Sequence, residues 1–518
     1  MTTNTSTPTA EQVSRLEQFK RAVGMDTTSS EGGPGRRGLK VPGGGYAAIV
    51  ESAPEFEATS NQVCGLWPFP AGSSLPAKGV PLGRHQMMMM DVCADPVTWF
   101  RLGLILNPSA FILGRPGLGK STLIRRMLTV LSAWGVIPMI LSDLKPDYVK
   151  LVRALGGEAG VISLGRGRSN INPLDPGPGA ALLPHLWQMN EKKAAEVQAQ
   201  LQGRRLNTLA GLCELVLGTE LTVNELTILR AALTVLDPDL SSTPVVDDVR
   251  MLIEERNAEV RAVVRDRGDT DRYDARVERL LDALQGLGPK GPFGDTFAQQ
   301  TSVPMVLDRP VVFDMSGVDE DDLRMQAALQ LVCWSYGSAV VQGAKIKAEA
   351  GLGPERIYVL VMDELWRVLR ASLQMVDRID AITRLNRQLL LPQIMCTHTM
   401  SDLKLATQEA TEKAWGFVER SEMVFLGGLA PKEMGNLSEV FAMPEKERQM
   451  LTTWSDMHTA SGDNDEDPPG RGLFLLKLGS RPGIPFRVDL VASELAVNDT
   501  NERWGAYEES RRQARESA

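Results

Sequence analysis

The chain has 518 residues, enough for two or three domains, and 43% of them are hydrophobic, enough for sizeable cores. Its formal net charge of −9 argues against a protein that coats nucleic acid with a general basic surface; DNA is not indicated by charge and would need a local patch. The five cysteines, Cys64, Cys93, Cys213, Cys333 and Cys396, are scattered and form no C-x-x-C pair, so neither a zinc site nor a disulfide framework is indicated, and reduced buried thiols are expected.

Residues 1–45 are rich in Thr, Ser, Gly and Pro and read as disordered or linker-like, with a short helix around Glu11 to Val23. Their polar start lacks an apolar signal core. Residues 46–106 break short apolar pieces with Pro and Gly and read as a small β-rich lead-in. Inside it "HQMMMM", from His85 to Met90, matches neither helix nor strand alternation and reads as packing filler rather than a metal site. His85, His185 and His458 have no metal-like spacing.

From 107 to 180 strands alternate with helices. "SAFIL" precedes a glycine-rich loop, "STLIRRMLTVLSAWG" has helical spacing with a glycine stop, and "VIPMILSD" is a second strand whose Pro138 suggests an irregular start. "YVKLVRALGG" and "GVISLG" add a helix and a strand. Such alternation predicts an α/β fold, a mainly parallel sheet covered on both faces. Residues 181–295 instead read as an all-α insertion, with apolar residues at three- and four-residue steps and a capping box at Thr222 and Glu225. Residues 296–495 return to α/β alternation through "RPVVFDMSG", "RIYVLVMDE", "LLLPQIMCTH" and "EMVFLGG", and close with a hairpin of "GLFLLKLG" and "IPFRVDLVA". The acidic "SGDNDEDPPG" before that hairpin reads as a mobile loop, and 496–518 as a charged tail. The uncharged run from Met325 to Ala344 holds three glutamines and two serines and reads as a buried helix, not a membrane span. Any membrane association would run through partners.

Gly114-Arg115-Pro116-Gly117-Leu118-Gly119-Lys120-Ser121, followed by Thr122, satisfies G-x-x-x-x-G-K-[ST]. Its glycines let successive N–H groups turn inward on phosphate oxygens, and the following helix adds its positive end. Lys120 would reach the β- and γ-phosphates of ATP, and Ser121 would bind Mg²⁺. "IYVLVMDE" supplies the acidic strand tip: Asp363 would hold Mg²⁺ and Glu364 would activate water as general base, the alternative being a cap for the helix that follows.

Arg384 and Arg387 precede the next strand, and His398 sits at its tip. Either arginine can project into a neighbouring subunit and stabilise transition-state charge, or simply lie on a solvated helix face. His398 can read the γ-phosphate or position water, or be a satisfied strand-end histidine. Asp143 and Asp314 also end strands, where ligand contact and loop capping are equally open.

Taken together, "GRPGLGKST", "SDLKPDYVKLVRALGGEAGVISLGRGRSNINPLDP", "VVFDMSG", "VLVMDELWRVL" and "CTHTMSDL" resemble the conjugative-transfer ATPases of type IV secretion systems, of the TraC/TrbE assembly type within the HerA–FtsK superfamily; "KGVPLGRHQ" adds to the likeness, which runs from about Val63 to Leu490. The resemblance implies a RecA-like P-loop motor with an all-helical insertion, assembling as a hexamer with secretion and conjugation machinery as partners. It implies a cytoplasmic protein, peripheral to the inner face of the membrane. It further implies that Arg387 is the arginine ahead of the sensing strand, with Arg384 the fallback. His398 departs from the superfamily, which usually has glutamine there, and makes a pH-sensitive activity the expectation. The N-terminal part is short where relatives often carry a channel-docking domain, which would move docking to another subunit. Two other functions stay open: a DNA translocase or coupling protein of the same superfamily, and a nucleotide-bound assembly module without sustained turnover.

Overall fold

The computed structural model describes residues 77–371, 376–456 and 470–498, apart from 378, 381–382, 385 and 388–390. The expected N-terminal linker and its helix, the lead-in before residue 77, the acidic loop, His458 and the tail beyond 498 lie outside the described residues.

Eleven strands among the described residues form one sheet: β1 (Pro81–His85), β2 (Asp91–Cys93), β3 (Ser109–Leu113), β4 (Val136–Asp143), β5 (Val161–Ser163), β6 (Val311–Asp314), β7 (Ile357–Met362), β8 (Gln393–Thr397), β9 (Met423–Leu426), β10 (Leu473–Lys477) and β11 (Ile484–Val488). Their order is β2-β1-β11-β10-β9-β3-β8-β7-β4-β6-β5. From β9 to β5 all neighbours are parallel. From β9 to β2 they are antiparallel. The closing hairpin thus extends the sheet, and the lead-in strands β1 and β2 continue it.

Strand alternation divides the core into two layers. Phe111 and Leu113 of β3, with Tyr358, Leu360 and Met362 of β7, face one apolar cluster. Ala110 and Ile112, with Val359 and Val361, face the other. The second layer is covered by helices Lys120–Ala133 and Val149–Gly156. The first is covered by helix Leu323–Glu349, which contains the long uncharged run; no described helix is long and apolar enough to cross a membrane.

Between β5 and β6 the chain is helical, through Leu183–Met189, Glu191–Leu217, Val223–Leu236, Val246–Glu254, Ala258–Val264 and Thr270–Gly286. The capping box at the third of these forms: Thr222 Oγ1 accepts from Glu225 N at 3.3 Å, and Glu225 Oε2 accepts from Thr222 N at 2.7 Å. Apolar residues of this block, such as Leu229, Val249 and Leu280, belong to the same cluster as Phe111, so the block packs on the sheet's own core.

Two local expectations change. Pro138 does not disturb β4, which pairs with β7 from Val136 onward; β6 joins only at Met139, so Pro138 lies where that flank of β4 has no neighbour to satisfy. Nor is the methionine run packing filler. It forms the β1–β2 turn, where His85 Nδ1 accepts from the N–H groups of Met87 and Met88, and Met87, Met89 and Met90 are exposed.

Candidate active site

The parallel strands β3, β4, β7, β8 and β9 all point their carboxyl ends to one edge. There β3 ends in Leu113 and the glycine-rich loop begins. Gly114 N donates to the carbonyl of His398 at 3.1 Å, so the loop starts stitched to the tip of β8. On the other side Gly427 N donates to the Leu113 carbonyl at 2.7 Å. A Cβ on Gly114 would stand 3.2 Å from Gly427 Cα, which leaves little room for a side chain there. Gly117 and Gly119 take φ of 81° and 95°, the left-handed region open to glycine, and the helix Lys120–Ala133 starts directly after. Its first N–H groups have no intrahelical partner. Arg115 turns away and donates from Nη1 to the Ser455 carbonyl at 2.9 Å. Thr122 Oγ1 accepts from Arg125 at 3.4 Å.

One strand, β8, stands between β3 and β7, and its tip residue bridges the two. Lys120 Nζ lies 2.9 Å from His398 Nδ1, and His398 Nε2 lies 3.1 Å from Glu364 Oε1. An ammonium can only donate, so Nδ1 accepts, and the ring proton sits on Nε2, where it donates to the carboxylate. Lys120, His398 and Glu364 therefore form one continuous polar chain. Glu364 Oε2 also accepts from Trp366 Nε1 at 2.6 Å. Burial pushes the Glu364 carboxyl up, but the hydrogen bonds from His398 and Trp366 and the nearby Lys120 charge outweigh it and hold it at about 2. Its backbone carries φ of 49°, a conformation uncommon for a residue with a side chain and concentrated at functional sites.

Asp363 is fixed differently. Its Oδ1 accepts from Glu364 N and its Oδ2 from the Tyr148 hydroxyl, both at 2.9 Å. Burial raises its carboxyl above the ordinary range, and the Glu364 charge adds to this. On the other side of the loop, Ser121 Oγ donates to Asp147 Oδ2 at 3.1 Å. Asp143, at the tip of β4, caps this loop: its two oxygens accept from Asp147 N at 3.1 Å and Tyr148 N at 2.9 Å, and burial pushes its own carboxyl well up.

These groups enclose a cavity of ≈ 180 Å³, lined by Lys120, Ser121, Asp147, Asp363, Glu364 and His398 among others. Ser142 Oγ, also in its wall, is buried without a hydrogen-bond partner. Among the described residues no three His, Cys, Asp or Glu side chains are spaced to hold a metal ion by themselves. A hydroxyl from Ser121 and one carboxylate from Asp363 suit a hard cation that brings phosphate and water ligands of its own, which is how Mg²⁺ binds with a nucleotide.

Lys120, Ser121, Asp363, Glu364 and His398 are thus brought together, as are Gly114, Pro116, Gly117, Leu118 and Gly119 in the loop beside them. Arg384 and Arg387 are not. Both are exposed, on the segment before β8, whose Asn386 Nδ2 donates to Ser109 Oγ and Asn107 Oδ1 at the start of β3. That is the opposite edge of the sheet. Arg384 pairs with Asp380 at 2.6 Å; Arg387 has no ion pair among the described residues. Asp314 also stays apart, bound by Ser163 Oγ at 3.0 Å and Arg168 Nη1 at 3.4 Å. Sequence reasoning missed Asp147, Tyr148 and Trp366. The first two follow the strand tip Asp143 in "SDLKPDY", and that spacing was the available signal.

Residues 100–332 match the model of the family described as "Helicase HerA, central domain". The fold is similar to that of VirB4 of Thermoanaerobacter pseudethanolicus, with 19% identity over 82% of this chain and 100% of that one and a TM-score of 0.61. The plasmid coupling protein TrwB in complex with ADP and Mg²⁺ aligns with 14% identity over 74% of this chain and 86% of that one, at a TM-score of 0.45. No curated protein matches the sequence. Residues 100–332 thus match the HerA central-domain model, and the described residues share the fold of VirB4.

Proposed function

We propose that the chain is an ATP-hydrolysing motor subunit of a type IV secretion or conjugation apparatus. The observation that carries this reading is the meeting of Lys120, Asp363 and Glu364 at one cavity, across the tip of β8. Lys120 and the N–H groups that follow Gly119 would hold the triphosphate. Ser121 and Asp363 would hold Mg²⁺, which when bound supplies charge neutralisation of the phosphates. Glu364 would orient and deprotonate the attacking water. With its carboxyl at about 2 it is a weak base while His398 and Trp366 hold it. Drawing Lys120 onto phosphate would loosen the Lys120–His398 contact.

Assembly as a ring, hexameric by the family resemblance, supports a role for the arginines. Arg384 and Arg387 lie at the far edge from their own cavity, so either would act only on a neighbour's nucleotide, and 1–45 and 46–106, 107–180, 181–295, 296–495 and 496–518 remain the proposed divisions of the chain. A cytoplasmic site of action at the inner face of the membrane fits the same reading. A DNA translocase is the second reading, favoured by the helicase description of the matched family.

The test is phosphate release from ATP with Mg²⁺. Wild type should turn over, and Glu364→Gln should lose about 10²–10⁴-fold while still binding nucleotide. If both bind ATP and neither hydrolyses it, the motor reading falls and a static assembly module remains. Turnover accelerated many-fold by DNA in a salt-sensitive way would favour the translocase.

A further inference from the structure

We propose that Asp147 and Tyr148, adjacent on the loop after β4, act as a clamp that pre-orients both metal ligands of the site; this rests on the nucleotide-site reading above. A serine hydroxyl can offer a lone pair to a cation only if its hydrogen points elsewhere. Asp147 Oδ2, 3.1 Å from Ser121 Oγ, takes that hydrogen and leaves the oxygen free toward the cavity. A carboxylate ligand must likewise be held against rotation. Tyr148, fully buried, donates its hydroxyl to Asp363 Oδ2 at 2.9 Å, while Glu364 N holds Oδ1.

The clamp is itself immobilised from two sides. Asp143 accepts from both of its backbone N–H groups. Arg125, buried on the helix that carries Lys120 and Ser121, donates from Nη1 to the Asp147 carbonyl at 2.8 Å. One dipeptide therefore ties the glycine-loop helix to the tip of β7, and fixes the two ligands relative to each other before any cation arrives. Tyr148 and Asp147 are positioning residues: neither needs to touch the nucleotide. Outer partners of this kind typically control about 10–100-fold in metal affinity.

The experiment measures binding of a fluorescent ADP to the full chain with Mg²⁺ and with EDTA. Wild type should bind more tightly with Mg²⁺. Tyr148→Phe, which removes only the hydroxyl, and Asp147→Asn should each reduce that Mg²⁺-dependent gain by about 10–100-fold and leave binding in EDTA unchanged. Adding Tyr148→Phe to Asp363→Ala should have no further effect, because its action passes through that carboxylate. An equal loss in both media, or full retention of the Mg²⁺ gain in both variants, would overturn the clamp. Absence of ADP binding by wild type in either medium would instead remove the nucleotide-site reading on which it rests.

Discussion

The ammonium of Lys120 sits 2.9 Å from Nδ1 of His398, and this contact commits the histidine to a neutral ring with its proton facing Glu364. The lysine that would meet phosphate and the carboxylate that would meet water are therefore coupled through one imidazole.

That coupling predicts the effect of replacing His398. Glutamine can accept from Lys120 and donate to Glu364, so His398→Gln should keep most of the turnover. His398→Ala should lose about 10²-fold, the scale of a misplaced catalytic group. Turnover rates of the three proteins check this, and an equal loss in His398→Gln and His398→Ala would contradict it.

Glu364 carries a pH signature in stability. Its folded value of about 2 lies below the ordinary 4.5, so the carboxylate's contribution is fully present above 4.5 and lost as pH falls toward 2. Glu364→Gln should be less stable than wild type at pH 6, and the two should converge as pH drops through that window. Urea unfolding at pH 6 and pH 3.5 measures the difference; a constant gap would exclude the coupling.

Gly428 is expected to tolerate no side chain. A Cβ there would come within 2.4 Å of the Trp454 carbonyl, and its own carbonyl accepts from Arg115 N at 3.0 Å. Gly428→Ala should cost about 1–3 kcal/mol, as overpacking of a close contact does, and should weaken nucleotide binding by moving the loop's anchor. Chemical denaturation together with ADP titration tests both halves.

In the helical block Arg205 and Asp237 form a buried pair at 2.7 Å, and two further nitrogens of Arg205 are buried without partners. Asp237→Ala should destabilise by about 3–5 kcal/mol because it strands the guanidinium. The double change Arg205→Met, Asp237→Leu should recover most of that loss. Unfolding midpoints of the single and double variants decide it.

The arginines give a test of assembly. Mixing Arg387→Ala subunits with Lys120→Ala subunits should restore part of the turnover that each lacks alone, since an arginine acting across an interface is worth about 10³–10⁵ in rate. The same mixture made with Arg384→Ala tells the two apart. If no mixture recovers activity, neither arginine serves a neighbour.

Much of the site was legible because its chemistry is concentrated at strand ends. An apolar run such as "IYVLVM" has no use for a carboxylate until it leaves the sheet, so Asp363 and Glu364 stood out. The same logic marked Asp143 but not what it does: whether it meets a ligand or caps a loop depends on where the N–H groups of Asp147 and Tyr148 turn. Trp366 was unreadable for a similar reason, since one indole N–H in "DELWRVLR" has no periodicity to betray its aim. Strand order was out of reach as well. Nothing in "EMVFLGG" says that it lies between the glycine-loop strand and the closing hairpin, because sheet neighbours are chosen by crossovers far apart in the chain. The methionine run was not legible because a turn needs no alternation, so its lack of alternation says nothing about burial.

Ser109 pairs with Gln393, with the helical block and strands β4 to β7 lying between them in the chain. On a translating ribosome, the strand that carries the glycine loop is made early and then waits for its partner. At about 5–20 residues per second that wait lasts about 15–60 s. Throughout it Phe111, Ile112 and Leu113 have no mate on that flank, so the nascent chain offers holdase chaperones a long-lived target at the very segment its catalysis depends on.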